Sequence, residues 1–205
     1  MYDLHMASLE RINEGASVRE RLVQAAVDSL IDVGFSETTG VETCRRAGVT
    51  RGALNHHFPD LGDLFVAALE RCYDIVRGDD EPFDTLVGWL QVARQRIANP
   101  ECKAMLELWF ATSNGAAFTA PVVNAITTGS LLFSPESMLG KPTEADEAVY
   151  RTMFEALIGL TVGRSTNGGT ALEHEQAVLG VLEELALASD RQQRTVASAA
   201  SSETT

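Results

Sequence analysis

Apolar side chains recur along most of this 205-residue chain with the three-to-four-residue spacing of an amphipathic helix. The first such stretch follows Ser17, which forms with Glu20 the Ser-x-x-Glu pattern of a helix N-terminus, and its apolar side chains include Leu22, Ala26 and Leu30. Alternating polar and apolar positions, which would indicate strands, are almost absent. The pattern therefore predicts an all-α chain of about nine helices.

Two short helices separated by a tight turn are predicted directly after the first helix. Thr39 and Glu42 repeat the N-terminal pattern, Gly48 can adopt the left-handed conformation that ends a helix, and Thr50 can cap the next helix. Pro59 stops that second short helix, because a helical conformation is disfavoured for the residue before a proline. Helix, turn and short helix are the parts of a helix-turn-helix, whose second helix enters the major groove of DNA.

The second short helix has one predicted inward side and one predicted outward side. Leu54 and Phe58 stand four residues apart and are expected to pack against the first helix. Gly52 and Ala53 are small enough to let the helix backbone approach base edges, and Arg51 can bond guanine through two hydrogen bonds. The candidate DNA-binding residues are Thr39, Arg46, Thr50, Arg51, Gly52, Ala53, Asn55 and His56.

The remaining sequence predicts further helices and a division into four segments. Helices are expected at about residues 61–77, 82–98, 100–112, 121–132, 143–164 and 170–189, with Pro82 at a first helical position and a loop at 134–142. The segments are a flexible arm (1–16), a three-helix helix-turn-helix domain (17–60), a helical domain (61–190) and a disordered tail (191–205) rich in Ser, Ala and Thr.

Charge and histidine content qualify this picture. The net charge of −13 argues mildly against nucleic-acid binding, yet Arg45, Arg46 and Arg51 accompany a single acid between residues 42 and 57. Neighbouring residues on a helix point about 100° apart, so His56 and His57 are not expected to share a metal. We expect His56 to face outward and His57 to pack inward.

Cysteine usage and hydropathy indicate the compartment. The three cysteines are widely spaced, which argues against a disulfide framework and a zinc site and favours a reducing cytoplasm. The chain has no run of about 18 uncharged apolar residues, and its start lacks a secretory signal. We therefore expect a cytoplasmic protein with no membrane partner, no metal and no cofactor.

Residues around the predicted helix-turn-helix carry a resemblance to a known family. Between residues 18 and 64, and without a gap, the chain resembles the N-terminal domain of the tetracycline-repressor (TetR) family at Val18, Arg19, Ala25, Ala26, Gly34, Phe35, Thr39, the run from Ala47 to Leu54, His57, Phe58 and Leu64. Asn55 stands where the family usually has a Tyr that touches a phosphate, and Leu61 where it usually has a Lys. Thr43 and Cys44 replace a usual Ile-Ala pair.

The resemblance implies a transcriptional repressor that binds a palindromic double-stranded operator as a homodimer. The helical domain from residue 61 is then expected to hold a small, mostly apolar effector that releases the DNA. Candidate ligand-binding residues, which would equally make an ordinary core, are Trp89, Met105, Trp109, Phe110, Asn114, Phe118 and Phe154.

The two long C-terminal helices carry apolar stripes that too little remaining chain can cover. We therefore expect them to pair with their copies in a four-helix dimer interface. The candidate interface residues are Met153, Leu157, Leu160, Val178, Val181, Leu182 and Leu185.

Three other interpretations remain open. A TetR-like protein could sense a ligand and bind a protein partner with little or no DNA binding, which Asn55 and Leu61 would favour. A generic three-helix module without a DNA role would show the same helices. An enzyme is the least favoured class, because the sequence has no Gly-x-Ser-x-Gly elbow, His-Glu-x-x-His motif, phosphate loop or Rossmann glycine fingerprint.

Overall fold

The computed structural model describes residues 16–78, 82–113, 122–126, 133–168, 170 and 173–202, and within these ranges it is helical with no strand. The helices are α1 (Val18–Val33), α2 (Gly40–Ala47), α3 (Arg51–His57), α4 (Leu61–Arg77), α5 (Leu86–Arg96), α6 (Pro100–Ser113), α7 (Pro135–Leu139), α8 (Glu144–Thr166) and α9 (Glu175–Ser202). Residues 122–126 are helical as well. The all-α prediction is confirmed.

The chain divides into two compact units. The N-terminal unit comprises residues 1–75 and 104–127, and the C-terminal unit comprises residues 76–103 and 128–205. The sequence predicted a domain boundary after residue 60, whereas the N-terminal unit also takes in most of α4 and the later part of α6.

In the N-terminal unit, the positions that the hydrophobic pattern identified as inward are buried. Leu22 and Leu30 of α1 are fully buried. Leu54 of α3 is only 3% exposed, because α3 packs against α1 and α2. The predicted capping box begins α1: the Ser17 hydroxyl accepts a hydrogen bond from the Glu20 amide (3.2 Å), and the Glu20 carboxylate accepts one from the Ser17 amide (2.7 Å).

Polar side chains fix the turn between α1 and α2. Gly34 ends α1 with a φ of +78°, a region that glycine enters without strain. The next amide, that of Phe35, donates a hydrogen bond to Glu107 Oε2 of α6 at 3.0 Å. The Thr38 hydroxyl donates to the Gly34 carbonyl at 2.7 Å. Together these bonds set the direction in which the chain enters α2.

The C-terminal unit packs α5, α8 and α9 around one apolar cluster. Its buried members are Leu86, Trp89, Leu90, Met138, Tyr150, Met153, Leu157, Leu160, Leu179, Leu182 and Ala186. Asp190 of α9 is also buried, and its carboxylate accepts hydrogen bonds from the amides of Leu86 and Val87 at 3.0 and 3.1 Å. Buried Asp146 of α8 accepts one from the Ser189 hydroxyl at 2.9 Å. These carboxylates tie α9 to the other two helices.

The start of α5 differs from the prediction. The helix begins at Leu86 and not at Pro82. Thr85 supplies the cap, because its hydroxyl accepts a hydrogen bond from the Gly88 amide at 3.0 Å, and Asp190 accepts from the first two helical amides. A residue more than one hundred positions away in sequence thus helps to decide where this helix starts.

Three further boundaries differ in the C-terminal unit. The predicted loop at 134–142 contains α7, which Ser134 caps. α9 starts at Glu175 and continues to Ser202, so most of the stretch predicted as a disordered tail is helical. Residues 181–202 contain no glycine or proline that would end the helix. Of the helix predicted at 121–132, only 122–126 lie within the described residues.

Candidate nucleic-acid interface

α2, a three-residue turn and α3 form the helix-turn-helix. Thr39 caps α2 by accepting a hydrogen bond from the Glu42 amide at 3.2 Å. Gly48 ends α2 in the left-handed conformation, with φ +64° and ψ 37°. Thr50 then caps α3 by accepting from the Ala53 amide at 3.2 Å. The turn and both caps lie at the positions that the sequence predicted.

The outward side of α3 carries the candidate residues that the sequence identified there. Among the candidates, Thr39, Thr50, Arg51, Gly52, Asn55 and His56 are exposed, and Ala53 is half-buried. His57 was expected to pack inward but is exposed, because the inner positions of this short helix are taken by Leu54 and Phe58. The two histidine rings meet edge to face, with centroids 5.2 Å apart.

Arg46 is held by acids of its own unit. Its guanidinium lies 2.6 Å from the Asp32 carboxylate and 2.7 Å from that of Glu42, and only 18% of the side chain is exposed. Arg45 binds Glu42 through two hydrogen bonds of 2.7 and 2.6 Å. The hydrogen bonds from Arg45 and Arg46 lower the pKa of the Glu42 carboxyl from its ordinary 4.5 to about 2.

This network changes what two predicted residues do. Glu42 was expected to complete a capping box with Thr39, but its carboxylate binds the two arginines instead. Arg46 was a candidate DNA contact, and the structure gives it the local task of joining α2 to the end of α1. The four-residue spacing of Glu42 and Arg46 is the sequence signal from which this pair could have been found.

The candidate ligand-binding residues fall in different parts of the chain. Trp89 and Phe154 belong to the C-terminal unit, whereas Met105, Trp109 and Phe110 belong to the N-terminal unit. Met105 and Trp109 are half-buried, and Phe110 is 48% exposed. Asn114 and Phe118 lie outside the described residues. Met105 and Trp109 stand four residues apart on α6, whereas Trp89 and Phe154 lie on two different helices of the C-terminal unit.

Trp89 and Phe154 meet through Tyr150, a residue that the sequence analysis did not select. The Tyr150 ring lies 4.6 Å from Trp89 and 6.0 Å from Phe154, between ring centroids. The Tyr150 hydroxyl donates a hydrogen bond to the Phe133 carbonyl at 2.7 Å, and burial raises the pKa of this phenol above its ordinary range. The four-residue spacing of Tyr150 and Phe154 on one helix was the available signal.

Most candidate dimer-interface residues are buried within their own chain. Met153, Leu157, Leu160 and Leu182 are at most 4% exposed, and Val178 and Leu185 pack partly buried against the same cluster. Val181 alone of this set is open, at 64% exposure. The predicted stripe is therefore the inner side of α8 and α9, because α5 covers it. The exposed side of α9 includes Ala177, Gly180, Val181, Leu187 and Ala188.

Other classes of site find no support in the part of the chain that the structure describes. No helix there is long and apolar enough to cross a membrane. No group of three or more His, Cys, Asp or Glu side chains in those ranges could hold a metal ion. Cys44 and Cys72 are buried, and burial, with the nearby Glu101, raises the pKa of the Cys102 thiol to about 12.

Comparison with known proteins finds similarity around the helix-turn-helix. Residues 22–68 match the model of bacterial regulatory proteins of the tetR family. An uncharacterized HTH-type transcriptional regulator of Mycobacterium tuberculosis (strain H37Rv) is 31% identical over 121 residues, which cover 59% of this chain and 60% of that protein. The HTH-type transcriptional repressor BepR of Brucella suis biovar 1 is 38% identical over 58 residues, or 28% of each chain.

A solved structure extends the likeness beyond the helix-turn-helix. The crystal structure of a transcriptional regulator from Rhodococcus sp. Rha1 matches with a TM-score of 0.69 at 19% identity, over 84% of this chain and 97% of that chain. The sequence match spans about 60% of the length of the Mycobacterium tuberculosis relative. Residues 22–68, which hold the helix-turn-helix, are thus similar to the tetracycline-repressor (TetR) family of bacterial regulatory proteins.

Proposed function

We propose that the chain is a DNA-binding transcriptional repressor of the cytoplasm that binds a palindromic operator as a homodimer and is released by a small, mostly apolar ligand. The observation that carries the DNA-binding part is the exposed side of α3. Arg51, Gly52, Asn55 and His56 lie on it, while the opposite side is fixed in the core by Leu54. A short, rigidly seated helix with small and donor side chains outward suits the major groove.

Local charge supports this role despite the net charge of −13. Glu42, the acid nearest in sequence to the turn, is engaged by Arg45 and Arg46. Arg51 makes no hydrogen bond or ion pair with any residue in the described ranges, so its guanidinium is available to a base edge or a phosphate. DNA binding depends on such local charges and less on the net charge.

A mobility-shift screen tests DNA binding itself. Full-length protein is mixed with bacterial genomic fragments and non-specific competitor, and we expect a small set of fragments to be retained with dissociation constants of roughly 10⁻⁸ to 10⁻¹¹ M. The matched control is the Arg51→Ala/Asn55→Ala double variant, which removes two outward donors and should lose this selectivity. Weak and equal retention of every fragment by both proteins would refute specific DNA binding.

The homodimer is proposed on the exposed side of α9. Val181 and Leu187 are 64% and 39% exposed there, and a dimer would cover them. Paired recognition helices would then bind half-sites about one helical turn, ~34–36 Å, apart or at multiples of that distance. Light scattering at micromolar concentration should show a dimer. Val181→Glu should give a folded monomer with weaker operator binding, whereas Gln95→Glu, on an exposed position of α5, should remain dimeric; a monomeric wild type would contradict the proposal.

Ligand release is proposed from the aromatic side chains of the C-terminal unit. Trp89, Tyr150 and Phe154 pack together in the core of this unit and carry two polar groups, the Tyr150 hydroxyl and the Trp89 indole N–H; small-molecule sites use such side chains when the core opens to a ligand. A releasing ligand must prefer a conformation that fits the operator poorly, so operator and ligand must weaken each other by the same factor. Calorimetric titration of a compound that displaces the operator, with and without operator present, measures this factor. Equal ligand affinity in both titrations would eliminate the release mechanism.

A second candidate is a ligand sensor of the same fold that binds a protein partner. Asn55 favours it, because an exposed amide stands at the position of the family's phosphate-binding Tyr, and so does Leu61, which is half-buried at the start of α4. Asn55→Tyr and Leu61→Lys decide between the two. Either change should strengthen an existing operator complex if the chain binds DNA, and a chain that binds no DNA before or after both changes would favour the protein partner.

A further inference from the structure

Gly40, the first residue of α2, has a backbone conformation that any amino acid could adopt. Its φ is not positive, in contrast to Gly34 and Gly48, which frame the same helix. Glycine weakens a helix relative to alanine, because it loses more conformational freedom on folding. A reason for the missing side chain must therefore be sought in what surrounds this position.

The space beside Gly40 is filled by the side chain of Arg51. A Cβ added to Gly40 would lie 2.8 Å from Arg51 Nη1, closer than Cβ atoms normally approach, and 3.1 Å from its Cζ, which is a tight contact. The guanidinium of the first residue of α3 therefore rests directly on the first residue of α2. This contact joins the beginnings of the two helices of the helix-turn-helix.

Arg51 differs from its neighbours in what holds it. Arg45 and Arg46 are fixed by the carboxylates of Glu42 and Asp32. Arg51 has neither a hydrogen bond nor an ion pair within the described ranges, and it lies beside the positive end of α2, which does not attract a cation. The direction of the Arg51 guanidinium is therefore set by its steric fit against Gly40, and the N–H donors of the guanidinium remain available to DNA.

Leu54 is a second side chain that a Cβ on residue 40 would approach. The same added Cβ would lie 3.2 Å from Leu54 Cδ2, which is buried in the core. A methyl group on residue 40 could therefore disturb either the guanidinium or the packing of α3. The guanidinium is the exposed end of a flexible side chain and can swing away at little cost, whereas Leu54 can only move with the core.

We propose that Gly40 is a positioning residue for DNA recognition: its bare Cα leaves the space in which the Arg51 guanidinium is held in the pose that contacts the operator. A larger residue at position 40 turns the guanidinium away and leaves the fold intact. This inference rests on the proposed DNA binding and on the contact of Arg51 with the operator. It adds a residue that touches no DNA itself to the determinants of affinity.

A double-mutant cycle tests the inference. The probe is a 30-bp duplex enriched from a random pool by the full-length wild type, and fluorescence anisotropy measures its affinity for wild type, Gly40→Ala, Arg51→Ala and the double variant. Gly40→Ala should weaken binding at least fivefold in the wild-type background. In the Arg51→Ala background, which has no guanidinium to displace, the same change should alter affinity by less than twofold. The base-pair preference lost should be the same in both single variants.

Each other result overturns the inference or what it rests on. Equal losses in both backgrounds would show that residue 40 acts without Arg51, and no loss in the wild-type background would show that the guanidinium is not held there. Melting curves complete the test: a similar large fall in Tm after Gly40→Ala in both backgrounds would mean that the glycine serves Leu54 packing. A wild type that enriches no duplex contradicts the DNA-binding proposal itself, whereas a wild type that binds but ignores Gly40→Ala contradicts only this inference.

Discussion

The helix-turn-helix and the α8–α9 pair both bury the apolar side of their helices, but the sides that they expose differ in chemistry. In α3 the stripe of Leu54 is buried in its own unit, and the opposite side is polar. In α9 the stripe of Leu182 is equally buried, yet the opposite side still exposes Val181 and Leu187. The stripe identifies the inner side of a helix in both regions. A surface for a partner must therefore be sought on the other side.

Truncated side chains on the two sides of α9 should differ most in their effect on stability. Leu182→Ala should lower the free energy of unfolding by about 2–5 kcal/mol, because it leaves a cavity in the core. Val181→Ala should cost less, and its cost should depend on protein concentration, because it acts only through association. Urea denaturation at two protein concentrations measures both. Equal, concentration-independent losses would place Val181 in the core and contradict the assignment of sides.

The hydrogen bonds of buried Asp190 should have the next largest effect on the free energy of unfolding. Asp190→Ala removes the acceptor of the Leu86 and Val87 amides, and leaving such groups unpaired costs about 1–3 kcal/mol of unfolding free energy. Gln95→Ala, on an exposed position of α5, is the control and should change it by less than about 0.5 kcal/mol. Thermal or urea denaturation compares them. If Asp190→Ala were as mild as Gln95→Ala, the contact of Asp190 with the start of α5 would have no energetic role.

These two regions also differ in how far the sequence alone predicts them. The helices of the helix-turn-helix domain depend on local sequence signals. Ser17, Thr39 and Thr50 cap their helices, and Gly48 forms the turn. Each of these residues bonds to a group no more than four positions away in the sequence. Such signals can be interpreted without knowledge of the fold. The all-α class, the helix-turn-helix and the likeness of residues 22–68 to the tetR family were accordingly predictable.

Long-range contacts were not predictable. Asp190 fixes the start of α5 from 104 residues away, and Glu107 binds the Phe35 amide from 72 residues away. Nothing in a local pattern says which distant helix supplies an acceptor. The same limit explains the dimer residues, since Leu182 could be assigned to the core or to an interface until α5 was seen to cover it.

Arg51→Ala should affect operator binding and leave the stability of the helix-turn-helix unchanged. Its side chain is exposed and has no partner in the described ranges, so the variant should keep the wild-type Tm while operator binding weakens by about 1–3 kcal/mol and preference at one base pair relaxes. Anisotropy on the selected duplex and its single-base variants measures both. Unchanged specific affinity in a folded protein would remove Arg51 from the interface.

Gly48→Ala tests the turn with a smaller effect. The added Cβ would meet nothing within 4 Å, so the cost comes only from the φ of +64° and should be about 1 kcal/mol of unfolding free energy. Gly52→Ala is the matched control, since Gly52 has no positive φ and its added Cβ would meet only Thr50 Oγ1 at 3.7 Å. Gly52→Ala should not destabilise the fold. A destabilising Gly52→Ala beside a neutral Gly48→Ala would contradict the turn geometry.

The smallest expected effect concerns pH. The folded-state pKa of Glu42 is lowered to about 2 from 4.5, so the stability that its ion pairs contribute is present above pH 4.5 and is lost as the pH falls towards 2. Glu42→Gln should therefore show a shallower loss of stability than wild type between those two pH values and the same dependence above pH 5. Urea midpoints measured across this range report it. Parallel curves for the two proteins would show that Glu42 is not paired in solution.

Hydroxyl-radical footprinting on a fragment retained in the mobility-shift screen tests whether paired α3 helices recognise the operator. A homodimer that inserts α3 into successive major grooves should protect two symmetric patches about one helical turn apart, ~34–36 Å, or a multiple of it. The Arg51→Ala variant should weaken both patches together, because the two copies are related by symmetry. A single asymmetric patch, or two patches that Arg51→Ala leaves at full strength, would contradict recognition by paired α3 helices.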